Sequence, residues 1–433
     1  MPEHVALEAE TEYRFEVSAA QEFRVTLKNG SAEIFGVELA INIPYTFRDQ
    51  KLAVFTWYGC ALEVDGVADV AYTSDETPMN SYLNIHAQLQ RRREQARARQ
   101  AAGPRVLVAG PVDSGKSTLT QILLNYALRL GEKPTYVDLD VGQSSLGIPG
   151  AIAATPLDMN CITVEEEFIL TNPLSFFYGH TNIADNAELY RHHLQKLAEI
   201  VHRRMVNDPE VNAAGFVINT SGWVDGLGYD MLVHAVQVFD VDVVLVIGQD
   251  RLFSRLSSAF TANKNVSIVK LTRSGGVVPL NGKHRSAKRN ACIREYFYGP
   301  NSQVVPIPTL SPCVNEYSFD EIDFYAIKDM KVSDVMLPVG QTETDLDRLR
   351  VVKVNVSLDL LHSIAAVCHV KHPQDATTSL TNSEYSVLLS SPAAGFVCIK
   401  EIREEEKKLV LLVPSPGPLP SRHLLLGSMK WLE

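Results

Sequence analysis

Hydrophobic and polar positions alternate with a short period in the first part of the chain. Between Tyr13 and about Tyr72, short apolar runs are separated by turn residues, namely RFEV, FRVTL, AEIFGVEL, LAVFTWYG and CALEV. Short alternating runs rich in β-branched and aromatic residues are typical of antiparallel strands. The pattern therefore predicts a small N-terminal β domain. After Pro78 the spacing becomes helical, in SYLNIHAQLQRRREQARARQ.

The middle of the chain alternates strand-length apolar runs with helix-length segments. After Gly103-Pro104, which ends the predicted helix, these runs are RVLVA, TYVDLD, AGFVIN, VDVVLVIG and VSIVKL. Such an order predicts a parallel sheet with helices on both faces. After about Cys313 short strands return, as FYAIK, VVKVNVSL, GFVCIK and KLVLLVP. We therefore predict domains at 1–102 (β domain and linker helix), 103–312 (central domain) and 313–433 (C-terminal domain).

Bulk properties narrow the class of protein. A length of 433 residues suggests two or three domains. Without a run of about 18 uncharged apolar residues, and without a signal-like start, we expect a soluble intracellular protein with no membrane partner. The six cysteines are far apart and lack zinc-site spacing, so we expect them to be reduced. The net charge of −11 argues against a long nucleic-acid track but permits a site for one chain end.

A glycine-rich loop follows the first strand of the central domain. Residues 110–117, GPVDSGKS, fit the pattern G-x-x-x-x-G-K-[ST] and precede the helical segment TLTQILLNYALRL. In such a P-loop, backbone N–H groups cradle phosphates, the lysine reaches the β and γ oxygens, and the hydroxyl binds Mg²⁺. The alternative is an ordinary strand-to-helix turn. The predicted nucleotide-binding residues are Gly110, Asp113, Ser114, Gly115, Lys116, Ser117 and Thr118.

These patterns together predict an α/β fold class: a central P-loop NTPase domain with a mostly parallel sheet, flanked by an N-terminal β-rich domain and a small C-terminal β-rich (α+β) domain. No N-K-x-D-like guanine reader follows a late strand, because VDVVLVIG continues into Gln249-Asp250-Arg251. We therefore predict ATP rather than GTP.

Two carboxylates end the strand after the P-loop. Asp138 and Asp140 are two positions apart, so in a strand they share a face and reach the edge where phosphates bind. One can hold the Mg²⁺ water shell and one can accept the proton of an attacking hydroxyl. The alternative is a surface turn with solvated acids.

Trp223 follows a third strand within NTSGWVDGLGY. Among glycines at the end of a strand, a core tryptophan would be poorly covered. We favour a stacking platform for a nucleobase over a tryptophan packed beneath its own loop.

Basic residues cluster in two helical segments. The stretch near 283–294 contains Arg273, Lys283, Arg285, Lys288, Arg289 and Arg294 in or just before it. Glycines precede this segment, which can therefore close as a lid over a transferring phosphate, whereas the alternative is a solvated face. For the earlier cluster we favour a solvated helix face over an RNA-facing patch; its members are Arg91, Arg92, Arg93, Arg97 and Arg99.

The motifs GPVDSGKST, VDLDVGQ, NTSGWVDGLGY and IREYFYG, in this order, resemble the Clp-type eukaryotic polynucleotide 5′-hydroxyl kinases. The resemblance extends from AEIFGVEL at Ala32 to GFVC at Gly395 and is weakest in the last domain. It implies ATP and Mg²⁺ as cofactors, the 5′-OH end of RNA as acceptor, and a nuclear location. It also implies association with the mRNA cleavage factor, including a Pcf-type partner, and with the tRNA-splicing endonuclease.

The same resemblance assigns roles to individual residues. It implies that Glu12 and Lys51 bind adenine and that Ser117 and Asp140 bind Mg²⁺. The predicted catalytic residues are Lys116, Asp140, Asp138, Arg289 and Arg294, with Asp113 a further candidate for the general base. The predicted RNA-binding residues are Gln143, His180, Thr181, Thr220 and Trp223.

Two functional hypotheses of different classes remain at this point. The first is a kinase that transfers the ATP γ-phosphate to an RNA 5′-hydroxyl in tRNA splicing and mRNA 3′-end processing. The second is an ATP-bound scaffold subunit of an RNA-processing complex with little turnover. A GTPase-like switch is a third, weaker hypothesis.

Overall fold

The computed structural model describes residues 2–165, 168, 173–299, 312–329, 349–370 and 385–432. Parts of the predicted C-terminal domain therefore lie outside the described residues. Among the residues that are described, no helix is both long and apolar enough to cross a membrane.

The N-terminal region is a sandwich of two antiparallel sheets. Their strand orders are β1-β8-β3-β6 and β5-β4-β7-β2-β9. The strands are β1 Glu3–Leu7, β2 Thr11–Val17, β3 Phe23–Gly30, β4 Glu33–Ile34, β5 Val37–Glu38, β6 Pro44–Phe47, β7 Gln50–Thr56, β8 Cys60–Gly66 and β9 Val70–Ser74. Along β2, Tyr13, Phe15 and Val17 point into the sandwich core, which leaves the intervening Glu12, Arg14 and Glu16 on the outer face.

Helix α1, Met79–Arg99, begins directly after Pro78, as predicted, and lies against the central domain. Arg93 is buried and its Nε donates to the carbonyl of Ala214 at 3.0 Å. Arg92 pairs with Asp242 at 3.2 Å. Arg97 bonds to Glu132. These three arginines join α1 to the central domain. Four of the five predicted surface arginines are exposed, as expected for a solvated face, and Arg93 is the buried exception.

The central domain contains the parallel strands, in the order β16-β15-β10-β14-β11, and the antiparallel strands β12 and β13 beyond them. Its elements are β10 Arg105–Ala109, α2 Lys116–Arg129, β11 Thr135–Asp138, β12 Ala151–Pro156, β13 Leu174–Phe177, α3 Ala187–Asn207, α4 Pro209–Ala214, β14 Phe216–Asn219, α5 Leu227–Val238, β15 Val243–Ile247, α6 Asp250–Ala259, β16 Ser267–Leu271 and α7 Gly282–Tyr298.

Strand β10 shows why this sheet is covered on both faces. Leu107 and Ala109 belong to the core formed with α3, α5 and α6. Val106 and Val108 belong to the opposite core, formed with α1 and α2. Alternate side chains of one strand thus enter two different cores, which requires the continuous apolar run seen in the sequence.

The C-terminal strands continue the central sheet. They are β17 Cys313–Ser318, β18 Asp323–Asp329, β19 Leu349–Val354, β20 Ser363–Cys368, β21 Ala393–Arg403, β22 Lys408–Val413 and β23 His423–Lys430. The connection is made by β13 and β21, through the pair Ser175 and Ala393. The predicted α/β fold class with flanking β-rich regions is confirmed, and one sheet runs from the P-loop domain into the C-terminal strands.

Candidate active site

The P-loop lies between β10 and α2 and adopts a conformation that its glycines permit. A Cβ on Gly110 would lie 2.7 Å from Ser114 Oγ and 2.9 Å from the carbonyl oxygen of Ile247. Asp113 and Gly115 have positive φ values of 54° and 91°. Gly115 is favourable there because it lacks a Cβ. Helix α2 then begins at Lys116, so its first N–H groups are available to an anion.

Lys116 is buried, with 7% of its surface exposed, and its Nζ donates to the carbonyl of Pro111 at 2.9 Å. Burial lowers the pKa of Lys116 to about 8, although Asp140 and Asp113 oppose the shift. A buried ammonium is stabilised by an anionic partner. The buried hydroxyl of Ser114 also has no hydrogen-bond partner among the described residues. The loop therefore fits the phosphates of a nucleotide, with Ser117 exposed and Thr118 half-buried on the first turn of α2.

Asp138 is fully buried at the end of β11 and is saturated with hydrogen bonds. Its Oδ1 accepts from Asn219 Nδ2 and from the N–H of Asp140, both at 3.1 Å. Its Oδ2 accepts from the N–H of Ser145 at 2.7 Å and from Ser145 Oγ at 3.1 Å. Burial and the adjacent Asp140 raise the pKa of Asp138 to about 7. With both oxygens occupied, Asp138 organises the turn that follows β11.

Asp140 has a different environment. Its Oδ1 accepts from the N–H groups of Gly142 at 2.9 Å and Gln143 at 3.2 Å. Its Oδ2 has no hydrogen bond to any described residue. Burial raises the pKa of Asp140, while these N–H groups, Lys116 and Lys288 lower it. A half-buried carboxylate oxygen and the Ser117 hydroxyl are ligand types that Mg²⁺ prefers, so these residues fit the metal.

Helix α7 begins against both loops. Arg285 contacts Asp113 Oδ2 at 2.7 Å, and the N–H of Leu280 donates to the same oxygen at 3.0 Å. Gln143 Nε2 donates to the carbonyl of Arg285 at 3.3 Å. The predicted basic segment is therefore a helix whose first turn lies on the P-loop and on the loop after β11.

Of the two arginines predicted to contact the transferring phosphate, Arg289 and Arg294, the structure contradicts Arg294. Arg294 is exposed, with its guanidinium carbon 5.4 Å from the centre of the Tyr298 ring. It is nine residues beyond Arg285, or about two and a half helical turns, and so lies on the opposite face of α7. The structure does not bring it to the site. Arg289, half-buried, is one turn after Arg285 and shares its face.

The N-terminal sandwich approaches the P-loop through residues 274–277. Glu12 is buried and accepts from Arg14 Nε at 2.7 Å and from Thr77 Oγ1. A Cβ on Gly276 would lie 2.8 Å from Arg14 Nε. In the same loop, Val277 Cγ2 would lie 3.3 Å from a Cβ on Gly115. The predicted adenine-side Glu12 is thus joined to the P-loop through one short loop.

Lys51 is not close to Glu12. Its Nζ pairs with Glu16 at 2.6 Å, and in the register of β2 and β7 it lies opposite Glu16, whereas Glu12 lies opposite Phe55. Four residues of an antiparallel strand span roughly 13 Å. The two residues assigned together to adenine are therefore separated along the strand, which corrects that part of the prediction.

The loop after β14 carries Trp223 beside the P-loop. A Cβ on Gly222 would lie 2.6 Å from the Cα of Val112, and one on Gly228 would lie 2.7 Å from Trp223 Cγ. The indole thus rests on the start of α5 and keeps 36% of its surface exposed. Thr220 differs from its prediction as an RNA contact, because it is buried and its hydroxyl donates to the carbonyl of Val108 at 2.7 Å.

The loop after β13 packs against Gly142, two residues after Asp140. His180 is half-buried, and its Nδ1 is 2.7 Å from Ser428 Oγ. Burial lowers the pKa of His180, although Asp185 opposes the shift. Thr181 is exposed, and its carbonyl oxygen would lie 3.4 Å from a Cβ on Gly142. The loop of His180 and Thr181 therefore packs against the turn that holds Asp140, and the N–H of Gln143 donates to Asp140 Oδ1.

A P-loop on a parallel sheet, a carboxylate with one oxygen not bonded to any described residue, and a basic helix against both loops define a P-loop nucleotide-binding protein. Its three regions match family models described as "N-terminal beta-sandwich domain of polyadenylation factor" (residues 6–96), "mRNA cleavage and polyadenylation factor CLP1 P-loop" (110–299) and "Pre-mRNA cleavage complex II protein Clp1" (310–433).

Full-length relatives agree with these family models. The chain is 45% identical over 438 residues to the Protein CLP1 homolog of Arabidopsis thaliana, covering 99% of this chain and 94% of the relative. It is 39% identical over 428 residues to the polyribonucleotide 5′-hydroxyl-kinase Clp1 of Homo sapiens, covering 99% and 96%. A solved wild-type Clp1p–Pcf11p complex superposes with a TM-score of 0.82 at 25% identity, covering 100% of this chain and 99% of that one. The chain belongs to the Clp1 family, as predicted.

Proposed function

We propose that this protein transfers the γ-phosphate of ATP to the 5′-hydroxyl of RNA. The observation that carries the proposal is a buried P-loop lysine, Lys116, close enough to Asp140 for each to shift the other's pKa, together with an Asp140 Oδ2 that accepts no hydrogen bond from the described residues. The human relative is named a polyribonucleotide 5′-hydroxyl-kinase, which supports the same acceptor.

The residues divide the reaction between them. Lys116 and the N–H groups at the start of α2 bind the β- and γ-phosphates. Ser117 and Asp140 would hold Mg²⁺, which neutralises charge on the triphosphate when bound. The 5′-hydroxyl oxygen attacks phosphorus, the bond to the β–γ bridging oxygen breaks, and ADP leaves. The hydroxyl proton passes to a carboxylate. Asp140 is better placed than the saturated Asp138 to accept it or to hold the metal, and its Oδ2 can do only one of these at a time.

The basic face of α7 would neutralise the transferring group. Arg285 already contacts the P-loop, and Arg289 shares its face. Lys288 is close enough to Asp140 to lower the pKa of that carboxylate. On the acceptor side, the exposed indole of Trp223 would stack on the terminal base.

The deciding experiment is transfer of radiolabel from γ-labelled ATP to a short 5′-OH oligoribonucleotide by the purified protein. We expect labelled RNA from the wild-type protein and none from Lys116→Ala. Equal labelling by the two proteins would overturn the proposal. ATP that stays bound without transfer would instead support the scaffold hypothesis.

We further propose a nuclear protein that acts in mRNA 3′-end processing with a Pcf11-like partner, and in tRNA splicing with the endonuclease. The solved Clp1p–Pcf11p complex supports the first partner. Recovery of a Pcf11-like protein and of endonuclease subunits with the tagged chain from nuclear extract tests both. Absence of either from the recovered material would remove that partner.

A further inference from the structure

The loop that follows β13 is in direct contact with the C-terminal strand β23. The N–H of Ser428 donates to the carbonyl of Gly179 at 2.9 Å. A Cβ on Gly179 would lie 2.7 Å from the Cα of Gly427, so the two backbones approach as closely as glycines allow. The loop beside Asp140 thus rests on a strand that is far away in the sequence.

The rest of this loop is held by its own side chains. The Tyr178 hydroxyl donates towards the carbonyl of Ile183 at 3.0 Å and accepts from the N–H of Asn186 at 2.8 Å. Asn186 in turn caps α3 by accepting from the N–H of Leu189 at 3.1 Å. The base of the loop is therefore fixed by several hydrogen bonds, and Thr181, next to His180 in the chain, lies against Gly142 in the loop of Asp140.

One nitrogen of the His180 imidazole forms a hydrogen bond with a residue of β23. Ser428 Oγ lies 2.7 Å from Nδ1, and Asp185 is 4.0 Å from the same nitrogen. No described residue forms a hydrogen bond with Nε2. A neutral imidazole carries its proton on one nitrogen only, and the bond made by the other nitrogen selects the tautomer. When the Ser428 hydroxyl donates to Nδ1, Nε2 carries the proton and is a donor.

We propose that Ser428 is a positioning residue for the RNA acceptor: its hydroxyl orients His180 so that Nε2 binds an oxygen of the 5′-terminal nucleotide. This inference rests on the proposed function, and it makes the C-terminal strand part of the acceptor site. Ser428 itself does not touch the reacting atoms.

The test is steady-state transfer with Ser428→Ala in the full chain. We expect KM for a 5′-OH oligoribonucleotide to rise by about 2- to 10-fold, the loss of one net hydrogen bond. The value of kcat, the ATP affinity and the melting temperature should stay unchanged, because the main-chain bond to Gly179 remains. Ser428→Thr retains the hydroxyl and should restore KM.

A matched control lies elsewhere in the C-terminal region. Ser390 Oγ is 3.0 Å from His192 Nε2, a second serine–histidine contact away from the acceptor loop. Ser390→Ala should leave KM for RNA unchanged. In a His180→Ala background, Ser428→Ala should have no further effect. Equal KM changes in the two serine variants, or a loss confined to kcat, would overturn the inference.

A binding measurement separates this inference from the proposed function. If the wild-type protein binds the oligoribonucleotide without transferring phosphate, the kinase proposal fails, while the positioning inference still requires weaker RNA binding by Ser428→Ala. Equal dissociation constants for the wild-type protein and Ser428→Ala would reject the inference alone. Absence of RNA binding by the wild-type protein would reject both.

Discussion

At the residue scale, Lys116 links ATP binding to pH. Burial holds its pKa at about 8, and a bound triphosphate favours the charged form. Above pH 8 the free protein must take up a proton to bind ATP, so we expect ATP affinity to fall by up to about tenfold per pH unit between pH 8 and 9.5. Titration of ATP binding over this range measures the slope. Lys116→Arg stays protonated and should give a flat profile; the same slope in both proteins would contradict the prediction.

Substitution of the two aspartates at the end of β11 should have different effects on phosphate transfer and on stability. Asp140→Asn should lose most phosphate transfer while ATP still binds, because an amide cannot accept the proton and coordinates Mg²⁺ poorly. Asp138→Asn places an N–H₂ group where two oxygens accept four hydrogen bonds, and we expect a cost of about 1–3 kcal/mol in the free energy of unfolding. Transfer rates and melting temperatures distinguish them. An inactive but stable Asp138→Asn beside an active Asp140→Asn would reverse the assignment.

Trp223 should contribute to RNA binding and less to folding than a core tryptophan, because 36% of its surface is exposed. We expect Trp223→Ala to weaken RNA use by about 1–3 kcal/mol, with ATP affinity and melting temperature nearly unchanged. Trp431 is buried, and Trp431→Ala should cost about 3–5 kcal/mol of stability. If Trp223→Ala melted as early as the Trp431 variant and bound RNA normally, its role would be packing.

The sequence predicted the chemical roles of residues better than it predicted which residues are in contact. The P-loop and Asp140 could be recognised because their roles depend on local order along the chain. Lys51 was wrongly grouped with Glu12 because strand register decides which side chains meet. Thr220 was assigned to RNA from the resemblance of its motif, and a hydroxyl in a loop gives no sign that its partner is the carbonyl of Val108, distant in sequence.

At the element scale, an ion pair joins α7 to the P-loop. Arg285 reaches Asp113 from the first turns of the helix, whereas Arg294 lies on the opposite face. We expect Arg285→Ala to reduce phosphate transfer about tenfold or more, because it removes positive charge beside the triphosphate and a contact that seats the helix. Arg294→Ala is the matched control and should retain transfer. Single-turnover rates of phosphate transfer measure both variants. Similar losses of rate would mean that the position of an arginine around α7 does not determine its effect on transfer.

Helical periodicity in the sequence could have identified this face. Arg285, Arg289, Cys292 and Tyr296 recur at three- and four-residue spacing, and Cys292 and Tyr296 contact Gly147 and Phe396. Sheet continuity could not have been found in this way. The pairing of Ser175 with Ala393 joins residues far apart in the sequence, and no local pattern reports such a pairing.

At the scale of the whole molecule, the sandwich and the P-loop domain are joined through the side of α2 away from the nucleotide. Asn125 Nδ2 donates to the carbonyl of Phe35 at 3.0 Å. Arg129 NH1 donates to the carbonyl of Gly36 at 3.1 Å. A Cβ on Gly36 would lie 3.2 Å from the carbonyl of Ile122, so the β4–β5 turn packs tightly on the helix. The helix that presents Lys116 to ATP therefore also carries the N-terminal domain.

Glu33 is a buried carboxylate at this junction. Its substitution tests how much the contact between the two domains contributes to stability. Its carboxylate is 3% exposed and accepts from the Tyr126 hydroxyl and, at 3.1 Å, from Arg129. Glu38 also pairs with Arg129 but is exposed. Removing Glu33 takes the carboxylate acceptor away from the buried Tyr126 hydroxyl and leaves Arg129 with Glu38 and the carbonyl of Gly36. We therefore expect Glu33→Ala to cost about 1–3 kcal/mol of unfolding free energy.

Glu38→Ala is the matched control, because it removes a carboxylate from the same arginine at the surface, where such a pair contributes about 0–1 kcal/mol. Denaturant unfolding of both variants, followed by tryptophan fluorescence, measures the difference. Equal losses would show that the buried contact adds nothing to the junction. A large loss in Glu33→Ala with an unchanged ATP affinity in the folded protein would show that the junction stabilises the sandwich on α2 without setting the geometry of the P-loop.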